Sequence, residues 1–354
     1  MKKLLVIRND KIGDFMLAWP SFAMLKASMP DCHITALVPG YTMALAELCP
    51  WIDEVLEDPT PKGSKASQQE LIRKIRQDSF DASINLFSTT YNALLVWKAR
   101  IPYRMAPATK LAQVFYNHRV KQKRSQSAKP EYEYNLDLIR IFLKDHQIPI
   151  VEPSAPYLAF TPSELSKQKD KLAAQLSIHP DKPWIFVHAG SGGSANNLSL
   201  EQYSQLIDGL DGDFEVVLTA GPGEEEKAYQ LQLRINHQGE KAVVYDKNDG
   251  LVDFAKSIAC ASLFIAGSTG PLHIAAAIDV PTIGFFPAKR SATPLRWKPL
   301  NSEGRHLSFS PPVQGDKSQQ EDMSQIRIES VLSELNPWVV SYLFSPRGRH
   351  ISQM

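Results

Sequence analysis

Eight short apolar runs set the limits on what this chain can fold into: 4–7, 33–38, 82–87, 184–188, 214–219, 242–245, 263–266 and 282–286. Each is rich in β-branched or aromatic residues and too brief for a buried helix, and each is followed by a polar turn and then by apolar residues at helical spacing. Leu17, Phe22 and Leu25 carry that spacing in the first half, and Tyr203, Leu206 and Leu210 in the second. Strands that read as continuous apolar runs, alternating with helices, are buried on both faces, which predicts parallel sheets of the doubly wound kind.

The chain has 354 residues, 43% of them hydrophobic, more than one core ordinarily organises, so two domains are expected. The stretch VEPSAPYLAFTPSEL divides them, because Pro153, Pro156 and Pro162 interrupt any regular element before Thr161-Pro162-Ser163-Glu164 opens a helix. We place an N-terminal domain over 1–155, a C-terminal domain over 156–325, and a helical tail over 326–354 that packs back on the N-terminal domain through Trp338, Val339, Val340, Tyr342, Leu343 and Phe344.

Thirty-nine basic and 38 acidic side chains leave a net charge of +1, too small to draw the protein to nucleic acid as a whole. Cys32, Cys49 and Cys260, odd in number and widely spaced, suit neither a disulfide framework nor a zinc knuckle and point to a reducing cytoplasm. The first residues lack the apolar core and cleavage site of a signal peptide, and no stretch approaches the length of a membrane span. A soluble protein, at most peripheral on a membrane, is expected. One segment departs from the even charge balance: Asn117 to Pro130 holds Arg119, Lys121, Lys123, Arg124 and Lys129 and no acid, which suits either a solvated loop or an anion-binding one.

Four loops carry chemistry. In NDKIGD, after the first strand, Lys11, Gly13 and Asp14 fall where doubly wound sheets bind ligands, with Gly13 permitting close backbone approach. Asp14 is there either as a helix N-cap or as a reactive carboxylate. Neither G-x-G-x-x-G nor G-x-x-x-x-G-K-[ST] occurs at this loop, which argues against dehydrogenases and NTPases. After the strand WIFVH, the loop HAGSGGSANN offers Gly190, Ser191, Gly192 and Asn196 as a donor-rich concavity for phosphate oxygens, or else as a flexible turn. In VVLTAGPGEEEKAYQL the acids either complement a helix dipole or accept from ribose hydroxyls. In ASLFIAGSTGPLHIAAAI, Ser268, Thr269 and Gly270 set hydroxyls and an amide at a helix start that fits a diphosphate, with His273 on the first turn.

Taken together, VIRNDKIGDFMLAWP, HAGSGGSANNLSLEQY and GSTGPLHIAAAIDVPTIGFF, in this order, resemble glycosyltransferase family 9, the ADP-heptose:lipopolysaccharide heptosyltransferases. The resemblance runs over roughly residues 1–310 and implies an α/β fold of the GT-B architecture: two facing Rossmann-like domains with parallel sheets and a cleft between them. It implies an acceptor-binding N-terminal domain, a nucleotide-sugar-binding C-terminal domain, and Asp14 as general base. It puts the donor diphosphate on Ser268, Thr269, Gly270 and His273 and the donor ribose on Glu224, with Glu225 as neighbour. Two positions depart from the family pattern: Ser268 stands for its usual aspartate, and Asn196 and Asn197 for a lysine that offsets diphosphate charge, a role left to Lys11, Lys289 or Arg290.

The function implied is inverting transfer of a heptose from ADP-heptose to the inner core of lipopolysaccharide, an anionic glycolipid acceptor met by Lys11, Gly13, Arg119 and Lys121. The enzyme would be cytoplasmic, in contact with the cytoplasmic face of the inner membrane. No cofactor or metal is expected, since no D-x-D pair stands beside the ligand-bearing end of a strand. The alternatives are a nucleotide-sugar-binding protein without catalysis and a GT-B transferase using a different nucleotide sugar.

Overall fold

The computed structural model describes residues 1–341 apart from 194–195, 240, 313–315 and 317. The chain divides into two compact units, Met1–Tyr157 and Leu158–Met354. In the first, β1 (Lys3–Ile7), β2 (His33–Pro39), β3 (Glu54–Asp58), β4 (Ala82–Asn85), β5 (Tyr103–Pro107) and β6 (His118–Val120) form one sheet in the order β3-β2-β1-β4-β5-β6. In the second, β7 (Trp184–His188), β8 (Glu215–Thr219), β9 (Ala242–Tyr245), β10 (Leu263–Gly267), β11 (Thr282–Phe285) and β12 (His306–Phe309) run β12-β11-β10-β7-β8-β9. Every pairing in both sheets is parallel. Each sheet, read from its own first strand, has the Rossmann order, so the chain switches direction between β1 and β4 and again between β7 and β10.

The central strands are buried at nearly every position, which is why their sequences lack the polar alternation of a one-sided sheet. The four strands the sequence does not announce are β3 (EVLED), β5 (YRMAP), β6 (HRV) and β12 (HLSF). Three of them are edge strands, short and charged or half-buried, where exposed backbone must not invite another chain; β5 is interrupted by arginine and closed by proline. The basic segment 117–130, expected to be a loop, thus contributes edge strand β6.

The helix opening at Thr161 forms as expected: Thr161 caps the Glu164 amide and Glu164 returns the bond, with Pro162 at the first position. Helix Ile328–Val339 packs into the core of the second unit: Ile328, Val331, Leu335 and Val339 lie in that core, and Asn336 Nδ2 donates to the Gly209 carbonyl (3.0 Å). Gly209 permits this, since a Cβ there would sit 2.2 Å from Leu332. Tyr342, Leu343 and Phe344 lie outside the described residues. Among those described, no helix is long and apolar enough to cross a membrane.

Candidate active site

The loops named above follow β1, β7 and β10, the strands flanking the two switch points, and the acidic turn follows β8. In NDKIGD the polar residues are tied down on both sides. Asn9 donates to Asp58 (2.6 Å), at the end of β3, and exchanges hydrogen bonds with Asn92 (2.7 and 2.8 Å). On the other side the Arg8 guanidinium, only 3% exposed, gathers three carboxylates. Its Nε and Nη2 grip Asp10 (2.8 and 2.9 Å), Nη2 also donates to Asp14 Oδ1 (2.8 Å), and Nη1 reaches Glu131 Oε1 (3.1 Å). Arg124 closes the cluster on Glu131 (2.8 Å).

Asp14 is therefore no helix cap. Lys11 occupies the N-cap position of helix Ile12–Met16, and Asp14 sits inside it with its carboxylate turned to Arg8. Asp14 Oδ2 accepts no hydrogen bond among the described residues. Burial works against the Arg8 charge, but Asp10, Asp14 and Glu131 outweigh it and hold its pKa above the ordinary value. Asp10 is pushed up to about 6 by burial and by the Asp14 charge, against the pull of Arg8. Lys11 is exposed and Gly13 half-buried.

The other two predicted acceptor residues, Arg119 and Lys121, are exposed on and just after β6. They form no ion pair among the described residues, whereas Arg124 and Lys129 of the same segment are paired with Glu131 and Asp137.

In the second unit the structure joins two features that the sequence treats separately. Glu224 Oε1 accepts from the backbone amides of Ser191 and Gly192, both at 2.7 Å, while Oε2 accepts from Gly221 (3.3 Å) and lies 3.4 Å from His188 Nε2. The donor-rich concavity after β7 thus holds a carboxylate of the chain itself, in the position an anionic oxygen would take. The His188 contact and the backbone amides hold Glu224 down to about 2, against burial. Gly190 is required by this contact, because a Cβ would fall 2.0 Å from Glu224 Oε2.

The two asparagines at the lysine position differ in role. Asn197 is a structural tie, donating to the Ala189 and Gly190 carbonyls and accepting from the Tyr203 hydroxyl (2.7 Å). Asn196 is exposed, with Nδ2 on the Glu321 carbonyl (3.0 Å). Ser194 and Ala195 of the same loop lie outside the described residues. Of the substitute cations, Lys289 is paired with Glu321 (2.8 Å), while Lys11 and Arg290 are exposed and form no ion pair among the described residues.

After β10, helix Gly270–Ile278 begins at Gly270 with Thr269 as N-cap and carries the small residues Ala275, Ala276 and Ala277. The Thr269 side chain makes no cap bond; its Oγ1 is buried without a partner among the described residues, and so is His273 Nδ1 one turn on. Burial pushes His273 down to about 4, so the ring is neutral at physiological pH. His306 on β12, half-buried, is pushed down to about 3 by desolvation, with His273 contributing. Two buried polar atoms at this helix start are thus available for a hydrogen bond, beside the free amides of the helix N-terminus.

The sequence reading misses Arg8, Asp10 and Glu131. Arg8 and Asp10 stand within the quoted stretch, but Glu131 is 123 residues away from its partner, and only its place at the start of a helix hints at a role.

Two Rossmann-order units with parallel sheets, each with polar loops at its switch point, define an α/β protein of the GT-B fold. The chain belongs to glycosyltransferase family 9: the profile of "Glycosyltransferase family 9 (heptosyltransferase)" matches residues 68–326. A provisionally named glycosyltransferase of Haemophilus influenzae is 53% identical over 96% of this chain and 97% of its own length. Among solved structures, a glycosyl transferase family 9 protein of Veillonella parvula superposes with a TM-score of 0.79 at 17% identity, covering 96% of this chain and 97% of that one. The Escherichia coli ADP-heptose lipopolysaccharide heptosyltransferase II does so at 0.74 and 20%, covering 96% and 99%.

Proposed function

We propose that this glycosyltransferase moves a heptose from ADP-heptose to the inner core of lipopolysaccharide by a single inverting displacement that needs no metal. The observation that carries the reading is the pair of orphaned buried atoms, Thr269 Oγ1 and His273 Nδ1, at the start of helix Gly270–Ile278. With the amides of that turn they make a cradle for the donor diphosphate, Ser268 and Gly270 completing it. Glu224 takes the donor ribose, leaving the Ser191 and Gly192 amides to the nucleotide as it binds.

On the acceptor side, Arg8 fixes Asp14 through Oδ1 and leaves Oδ2 without a hydrogen bond among the described residues. Asp14 Oδ2 takes the proton of the acceptor hydroxyl, whose oxygen forms the new bond to the anomeric carbon while the bond from that carbon to the diphosphate breaks and ADP leaves. Lys11, Gly13, Arg119 and Lys121 meet the anionic acceptor. Lys11 is our first choice for the charge that the family lysine supplies, with Arg290 next, because Lys289 is occupied by Glu321.

A second reading keeps the fold and the base but changes the nucleotide sugar, favoured by Ser268 and Asn196 at positions where the family pattern has an aspartate and a lysine. Thermal protection measured against a panel of nucleotide sugars tests both. The first predicts the largest shift with ADP-heptose and transfer that survives excess EDTA. A larger shift with another nucleotide sugar supports the second, and loss of transfer restored by magnesium contradicts the metal-free displacement.

A further inference from the structure

One face of the first unit is not explained by transfer chemistry. From Ala82 to Pro130 the chain runs 49 residues with nine Lys or Arg and no Asp or Glu, although the whole protein carries a net charge of only +1. Within that stretch stand three of the most exposed large apolar side chains of the unit: Leu111 at 87%, Val114 at 66% and Trp97 at 48%. They are neighbours. Leu111 and Val114 are three apart in the 3-10 turn Leu111–Phe115 and so share a face. Phe115 of that turn packs on Trp97, ring centroids 5.3 Å apart.

The cations surround this apolar tip. Lys98 and Arg100 follow Trp97 and, with Arg76, line a surface groove beside it. Lys110 immediately precedes Leu111, and the Ala108 amide donates to the Val120 carbonyl (2.7 Å), which draws in Lys121. Lys98, Arg100, Lys110 and Lys121 are exposed and form no ion pair among the described residues. Asp145, the acid facing His118 on β6, is already bonded by the Tyr103 hydroxyl (2.8 Å).

We propose that the turn Leu111–Phe115 with Trp97 is a docking surface for an anionic lipid bilayer: Leu111, Val114 and the Trp97 ring enter the headgroup boundary while Lys98, Arg100 and Lys110 lie against the anionic headgroups. Charge complementarity selects this occupant. Long, unpaired cations around separate protruding apolar tips suit a fluid anionic surface, which needs no shape match, and tryptophan is at home at that boundary. Vesicle binding requires neither donor nor acceptor, so this surface stands or falls independently of the transfer reading.

The test is co-sedimentation of the full chain with vesicles of phosphatidylcholine alone and of phosphatidylcholine with phosphatidylglycerol. The chain should bind the anionic vesicles only, and high salt should release it. Leu111→Ser with Val114→Ser should lower partitioning by roughly tenfold. Lys98→Ser with Lys110→Ser should lower it by about thirtyfold, at ~1 kcal/mol per cation. All four positions are exposed, so unchanged thermal unfolding confirms that the variants are folded. No binding of the parent to anionic vesicles would overturn the proposal, and so would variants that bind like the parent. Variants that change only the oligomeric state would also overturn it, because the patch would then be an interface between copies of the chain.

Discussion

Replacing Arg8 by methionine removes a buried guanidinium and keeps most of the side-chain volume. Asp10 and Asp14 then lose their cation, and Glu131, only 2% exposed, keeps its pairing with Arg124. Breaking a buried ion pair by removing one partner typically costs ~3–5 kcal/mol, and here three carboxylates share the loss. A drop of roughly 10 °C in the unfolding temperature of the first unit is expected. The dependence on pH is the sharper part. Carboxylates gathered without a cation have folded-state pKa values above their unfolded ones, so the folded variant takes up protons first as pH falls. That uptake stabilises it relative to the unfolded chain, and the deficit against the parent should shrink between about pH 7.5 and about pH 5. Denaturant titrations of both proteins at the two pH values measure it. A deficit under about 1 kcal/mol, or one that is equal at both pH values, would refute the idea that Arg8 is the counter-charge of this cluster.

Gly190→Ala should expel Glu224 from the Ser191 and Gly192 amides, since the added Cβ would lie 2.0 Å from its carboxylate, and cost the second unit about 2–3 kcal/mol in a denaturant titration; a neutral result would mean that the contact contributes nothing. Thr269→Val and His273→Ala should each weaken ADP binding by roughly tenfold in calorimetry, and unchanged affinity would remove them from the donor site. Because the pKa values of His273 and His306 are depressed to about 4 and about 3, the unfolded chain binds more protons from about pH 6.5 downwards, and stability should fall as pH drops through that window. The loss should be about 3 kcal/mol for His273 alone, and His306→Gln should flatten the slope; an equally steep slope would contradict that assignment. Asp10, at about 6, should give transfer an acid limb near that pH which Asp10→Asn removes or moves, and an unmoved limb would detach Asp10 from the chemistry.

Central strands were legible because burial on both faces writes itself as an uninterrupted apolar run, as in LLVI and WIFVH. β3, β6 and β12 were not, since at a sheet edge the same backbone carries EVLED, HRV and HLSF. The loops at the switch points were legible for the complementary reason: charge, glycine and hydroxyl residues directly after an apolar strand have few structural uses. What joins those loops was hidden. Nothing in the spacing says that Glu131 meets Arg8, or that Glu224 occupies the amides of Ser191 and Gly192, because each contact is made by the fold over tens of residues. In the tail, the apolar stripe Ile328, Val331, Leu335 and Val339 fixes that the helix must pack but not against which core.

The central claim is that Asp14 takes the acceptor proton, and one variant tests it directly. Asp14→Asn keeps the side-chain shape and lets the amide oxygen accept from Arg8, but the residue can no longer receive a proton. Sugar transfer and ADP binding should be measured on the same preparation. The account predicts transfer lowered by about 100-fold or more with ADP affinity unchanged. Transfer at the parent rate would contradict it and leave Asp14 as no more than an anchor for Arg8.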